Sequence, residues 1–124
     1  MKFNRLKLST FSQSHLSLLK KKTGLTANII GRFAICLSLK DPVIPNPDEY
    51  NKGGFELTPQ VLFGEHEELY MALMLHRLKK DSLDPELYLD EMTRAHLNRG
   101  VTAIFPRINH LSDFYELVKE ERNA

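Results

Sequence analysis

Residues 22–37 read Lys22-Thr23-Gly24-Leu25-Thr26-Ala27-Asn28-Ile29-Ile30-Gly31-Arg32-Phe33-Ala34-Ile35-Cys36-Leu37. Cations followed by a glycine end a helix: the charges suit the negative pole of the helix dipole, and Gly24 supplies the left-handed residue that closes the last turn. Two residues on, Thr26 is an N-cap type. Ile30, Phe33, Ala34 and Leu37 then fall at i, i+3, i+4 and i+7, widened by Ile29 and Cys36, so a second helix with one buried stripe comes next. The stretch is a joint between two helices, and the chain reads outward from it.

Upstream, Lys20, Lys21 and Lys22 finish a first helix whose N-cap is Ser9 and whose inner face would carry Phe11, His15, Leu18 and Leu19, with Leu16 beside them. Before it, residues 3–9 alternate. Leu6 and Leu8 point one way and Phe3, Arg5 and Lys7 the other, a short strand with an apolar and a cationic face. A lone strand needs a partner. None lies nearby in sequence, so pairing with the same strand of a second chain is expected.

Downstream, Pro42, Pro45 and Pro47 forbid helix between Asp41 and Asn51. Residues 55–63 can hold a short extended piece. Gly64 precedes a helix with Glu65, Glu67 and Glu68 in its first turn and Arg77, Lys79 and Lys80 in its last. Its many apolar residues, Leu69, Met71, Ala72, Leu73, Met74, Leu75 and Leu78, mark it as central. Asp84-Pro85 opens another helix, running to about Asn98 with Leu87, Met92 and Ala95 inside. Pro106 interrupts the chain beyond it, and a last helix covers Ser112 to Glu121. The expected fold is mainly α: a short N-terminal strand followed by a helix bundle. It is one domain over residues 1–124: a basic strand–helix–helix module at 1–40, a proline-rich connection at 41–63 and a helical part at 64–124.

Charge divides the same way. Residues 1–40 hold eight cations, Lys2, Arg5, Lys7, Lys20, Lys21, Lys22, Arg32 and Lys40, and no carboxylate. The other 84 residues hold nine basic and sixteen acidic side chains, so the formal charge of +1 conceals a bipolar sequence. A basic segment of this kind attracts phosphate. The 42% of hydrophobic residues excludes a disordered chain, no stretch is long enough to cross a bilayer, and Met1-Lys2-Phe3-Asn4-Arg5 leads into no secretory signal. A single cysteine, Cys36, has no partner for an internal disulfide, which suits a reducing, cytoplasmic setting.

The order basic strand, helix, Thr23-Gly24-Leu25-Thr26 turn, helix resembles a ribbon-helix-helix module. That likeness would turn Arg5 and Lys7 toward DNA, bury Leu6 and Leu8 in a dimer core, and aim the backbone around Thr26, Ala27 and Asn28 at a phosphate. A more extended resemblance runs over residues 4–115. Arg5-Leu6-Lys7-Leu8-Ser9, then Leu19-Lys20 and Lys22 to Asn28, then Arg32 to Leu39, are similar to the start of the DNA sulfur modification family DndE. Pro45-Asn46-Pro47, Phe63-Gly64-Glu65, Leu69-Tyr70-Met71-Ala72-Leu73 and Arg94-Ala95-His96-Leu97-Asn98-Arg99-Gly100-Val101 continue the likeness in order. The resemblance implies an accessory, non-enzymatic subunit of DNA phosphorothioation. Such proteins are homo-oligomers, tetramers, that bind double-stranded DNA, preferably nicked, and work beside other subunits of the complex. It implies no cofactor and no membrane.

The expected DNA-binding residues are Arg5, Lys7, Lys20, Lys21, Lys22, Thr26, Asn28 and Arg32. Each also has a plainer reading: solvated helix end, edge-strand charge, or helix cap. Cys36 reads as an inert, buried thiol. The histidines lack metal-ligand spacing, and His66-Glu67-Glu68-Leu69-Tyr70 has Tyr70 where a zinc-binding pair needs its second histidine. No catalytic residue and no metal ligand is expected. Two other functions remain open: a metal-dependent nickase using Glu65, Glu67 or Glu68, and a ribbon-helix-helix repressor.

Overall fold

A computed structural model describes residues 1–123. Two short strands, β1 (Leu6–Lys7) and β2 (Glu56–Leu57), join six helices: α1 (Thr10–Thr23), α2 (Ala27–Lys40), α3 (Pro59–Phe63), α4 (Glu67–Lys80), α5 (Pro85–Ile104) and α6 (Leu111–Asn123). The mainly helical fold with a short N-terminal strand is the one the sequence implies.

The joint forms as its residues dictate. The Ser9 side chain accepts from the backbone N–H of Ser12 at 2.9 Å, and Gly24, at φ 74°, closes α1 by donating to the Lys20 carbonyl at 2.8 Å. The buried face of α1 is rotated from the expected one. It is Ser12, Leu16, Leu19 and Thr23, while Phe11 and Leu18 are exposed. Ser12 and Thr23 are small enough for close packing, whereas His15 lies flat against Phe105, ring centroids 3.8 Å apart.

The strand finds its partner within its own chain. Leu6 faces Leu57 and Lys7 faces Glu56 in antiparallel register, and β2 comes from the segment expected to be extended. The opposite edge of β1 is also occupied: Asn98 of α5 accepts from the Ser9 N–H at 2.8 Å and donates to the Lys7 carbonyl at 3.2 Å. With one edge paired to β2 and the other tied to α5 through Asn98, β1 is held within its own chain. Leu6 and Leu8 are buried in the chain's own core, and Phe3, expected beside Arg5, is buried too, 4.6 Å from the Phe63 ring.

The central element is α5, not α4. It is buried continuously from Met92 to Asn98 and again at Gly100, Val101 and Ile104, whereas α4 buries only Tyr70, Met74, Arg77 and Leu78. Leu87 and Leu69, both expected to face inward, are exposed. Helix α5 packs face to face on α2, so closely that a Cβ at Gly100 would lie 2.0 Å from the Ala34 carbonyl oxygen. Sequence periodicity misjudged α5 because Thr93, Arg94, His96 and Asn98, four of the residues it buries, are polar. Arg94 donates to the carbonyls of Pro47 and Tyr50 at 2.8 and 3.0 Å. Arg99 donates to Ser38 and to the Val43 carbonyl, which Arg77 of α4 also reaches. His96 meets the Ser38 hydroxyl at 2.8 Å. The run Arg94 to Val101 is therefore a structural signature. Three guanidinium groups hold the proline-rich connection against the helices, and charge-assisted bonds of this kind are roughly twice as strong as neutral ones.

Candidate nucleic-acid interface

The eight expected residues divide into two groups. Lys20, Lys21 and Lys22 occupy the last turn of α1, Thr26 caps α2, and Asn28 and Arg32 lie on its first turns. All three lysines and Thr26 are exposed; Asn28 and Arg32 are half-buried. Arg5 and Lys7 sit at the other end of α1, about 15 Å away by the rise of the helix between Thr10 and Lys20.

The electrostatics of the groups differ. Arg5 and Lys7 share one carboxylate, Glu56, at 3.4 and 3.6 Å, brought across by the β1–β2 pairing. Their positive face in the sequence is thus partly neutralised in the fold. Lys2, at the same end, lines a cleft with Gln60, Glu67 and Glu68. Lys40 pairs with Glu121 of α6 at 2.6 Å. Among the described residues, Lys20, Lys21, Lys22 and Arg32 have no carboxylate within ion-pairing distance. The bipolar sequence becomes one concentrated cationic patch at the α1–α2 turn.

Two features order that patch. The Lys22 ammonium stands over the Phe105 ring, 4.9 Å from its centroid, and the other neighbour of that ring is His15. Sequence reading passed over Phe105, which has no local signal linking it to a lysine 83 positions earlier. At the start of α2, the Thr26 hydroxyl bonds to the Asn28 amide oxygen and no side chain caps the helix. Thr26 thus stands at the cap position without performing its usual capping. The first backbone N–H groups of α2 have no intrahelical acceptor and carry the positive end of the dipole, close in sequence to three lysines.

Cys36 lies half-buried on α2 with its sulfur 3.5 Å from the Tyr70 hydroxyl. Burial, followed by that contact, pushes the Tyr70 hydroxyl above its ordinary range. Among the described residues, no group of three histidine, cysteine or acidic side chains converges as a metal site. No helix of the described residues is long and apolar enough to cross a membrane.

The family described as "DNA sulphur modification protein DndE" matches residues 5–112. Among solved structures, the chain is similar to DndE from Escherichia coli B7A, described as involved in DNA phosphorothioation modification. The two are 26% identical with a TM-score of 0.66, over 84% of this chain and 99% of that one. A glycine-to-lysine mutant of DndE shares the fold at 24% identity, TM-score 0.65, over 84% of this chain and 99% of the other. No curated protein sequence matches significantly.

Proposed function

This chain belongs to the DndE family of DNA sulphur modification proteins, and from that premise we propose that it is the DNA-binding accessory subunit of a phosphorothioation system. It grips duplex DNA by the phosphate backbone, at or near a nick, and acts as a homo-oligomer beside the subunits that carry the sulfur chemistry. The chemistry of the pathway replaces a phosphate oxygen. A subunit that holds the backbone without reading bases is suited to presenting that phosphate.

The observation that carries the reading is the α1–α2 turn. Lys20, Lys21 and Lys22 lie without carboxylate partners beside a helix N-terminus that no side chain caps. Ammonium groups and uncapped backbone N–H groups together match the oxygen acceptors of a phosphate. Thr26 and Asn28 flank those amides, and Arg32 extends the patch along α2. Arg5 and Lys7, held by Glu56, make at most a secondary contact. No observation favours the nickase, and a ribbon-type repressor would need the β1 edge that Asn98 partly occupies.

The test is duplex binding by Lys20→Glu/Lys21→Glu, compared with Arg5→Gln/Lys7→Gln. Neither pair is buried, so both variants should fold. The first should lose at least tenfold in affinity at moderate salt and the second less than threefold. Equal losses, or none in the first, would move the contact elsewhere. Incubation of supercoiled plasmid with Mg²⁺ should leave it uncut; metal-dependent relaxation abolished by Glu68→Gln would make the protein a nickase.

A further inference from the structure

The α1–α2 turn has an apolar flank. Leu25 follows the lysines in the chain, and Ile29 lies one helical turn beyond Thr26. Leu111, Phe114, Tyr115 and Val118 of α6 meet them across an open, almost wholly apolar groove of about 610 Å³, a size that takes a small planar group. Tyr115 is 63% exposed, while Phe114 behind it is buried, its ring 5.0 Å from that of Phe33. One wall of the groove thus belongs to the turn that carries the lysines. The other, α6, lies almost entirely beyond residues 5–112, the span matched by the family.

Charge is sorted around this groove. None of the residues lining it is acidic. The carboxylates of α6 are turned elsewhere: Asp113, Glu116 and Glu120 line a separate cleft with Arg107, and Glu121 holds Lys40. Lys119 and Arg122, at i+4 and i+7 from Tyr115, continue its face of α6. Neither has a carboxylate within ion-pairing distance among the described residues. The opposite side begins at Lys20, Lys21 and Lys22.

An apolar floor between two cationic sides suits an occupant that is apolar in its middle and anionic at both ends. A nucleobase between two phosphates of its own strand has that form: its face stacks on an aromatic side chain, and the flanking charges meet ammonium and guanidinium groups. An acidic peptide has similar charges but would take up the lysines that the duplex needs. In intact duplex every base is paired and stacked, out of reach of the groove. Where the opposing strand is missing, unstacking a base costs least. We propose that the groove takes one unstacked base of a single-stranded stretch, with Tyr115 as its stacking platform, while an adjoining phosphate sits at the α1–α2 turn. This role rests on the DNA-binding reading and adds to it a site for the base beside the site for the backbone.

The probes are a duplex carrying a short single-stranded gap and the intact duplex of the same sequence, each titrated with the full chain. The native chain should bind the gapped duplex more tightly. Tyr115→Ser should lose about tenfold on the gapped duplex and less than about twofold on the intact one, and Tyr115→Phe should keep the native affinity for both. A defect of folding or assembly would instead weaken both DNAs alike. Equal losses on the two, or none on the gapped duplex, would overturn the base site. As a direct check, 5-iodouracil placed in the gap and irradiated should attach to Tyr115, located by mass spectrometry; attachment only at other residues would also overturn it. If Lys20→Glu/Lys21→Glu abolishes duplex binding while Tyr115→Ser is silent, the backbone reading stands and the base site falls. If the native chain binds neither DNA, both fall.

Discussion

Asn98 holds the open edge of β1 with one side chain: its amide accepts from the Ser9 N–H, donates to the Lys7 carbonyl and so ties the strand to α5. His96, two residues earlier, shows the cost of a polar core. Its Nδ1 meets Ser38, its Nε2 has no partner, and burial, with Arg77 and Arg99 nearby, lowers its pKa to about 3 from an ordinary 6.5. Between those values the unfolded chain binds a proton that the folded chain refuses. Stability from this residue is therefore complete above about pH 6.5 and falls as the pH drops toward 3, by at most ~1.4 kcal/mol per pH unit. Urea unfolding from about pH 7 to about pH 4 should show a decline that His96→Gln flattens; parallel curves for the two proteins would reject a neutral buried imidazole. Gly100 is a second such position. Alanine there would press on the Ala34 backbone, and Gly100→Ala should lower stability by about 3 kcal/mol in denaturant melts.

At the scale of elements, the α1–α2 joint is set by local rules, and its glycine can be tested cleanly. A Cβ at Gly24 would meet nothing within 4 Å, so the only objection to a side chain is φ at 74°. Gly24→Val should cost about 2 kcal/mol in thermal or chemical unfolding through backbone strain alone; an unaltered midpoint would mean that the turn relaxes freely. The proline-rich connection obeys a different logic. It contains little regular structure, yet Arg77, Arg94 and Arg99 bond its carbonyls. Replacing Arg99 by methionine keeps much of the stem but removes one of two donors from each of the Val43 and Ser38 carbonyls, leaving them to Arg77 and the Asp41 N–H. Limited proteolysis should then cleave between Asp41 and Lys52 several-fold faster than in the native chain.

Across the whole molecule, the distribution of charge decides how DNA binding responds to salt. The sequence suggests a cationic third, but ion pairs with Glu56 and Glu121 remove much of it and leave the α1–α2 patch. One copy should then release few counterions, on the order of three to four, and the slope of log K against log salt should be close to ~0.9 times that number per copy. Titrations of duplex at several salt concentrations check this. A slope per copy of about seven would mean that Arg5, Lys7, Lys2 and Lys40 contact phosphate as well.

What the sequence determined by itself was local: Ser9 as a cap, Gly24 as a left-handed stop, the amphipathic stripe of α2, the prolines that keep residues 41–51 out of α-helix, where only a 3-10 turn at Pro47–Glu49 forms. Each depends on neighbours within about four positions, where hydrogen bonding and side-chain spacing obey fixed rules. Six N-terminal cations and two polar residues were named as candidates by the same local rules, and only Lys20, Lys21, Lys22, Thr26, Asn28 and Arg32 of them gather at the α1–α2 turn. Tertiary structure alone decided which of them keep an unshared charge, because Glu56 lies some fifty residues from Arg5 and Lys7. It likewise decided that β1 pairs at home and that α5 is the axis of the fold. Buried arginine, asparagine and histidine carry no apolar periodicity, and their carbonyl partners, more than forty residues away for Arg94 and Arg99, exist only once the chain has folded.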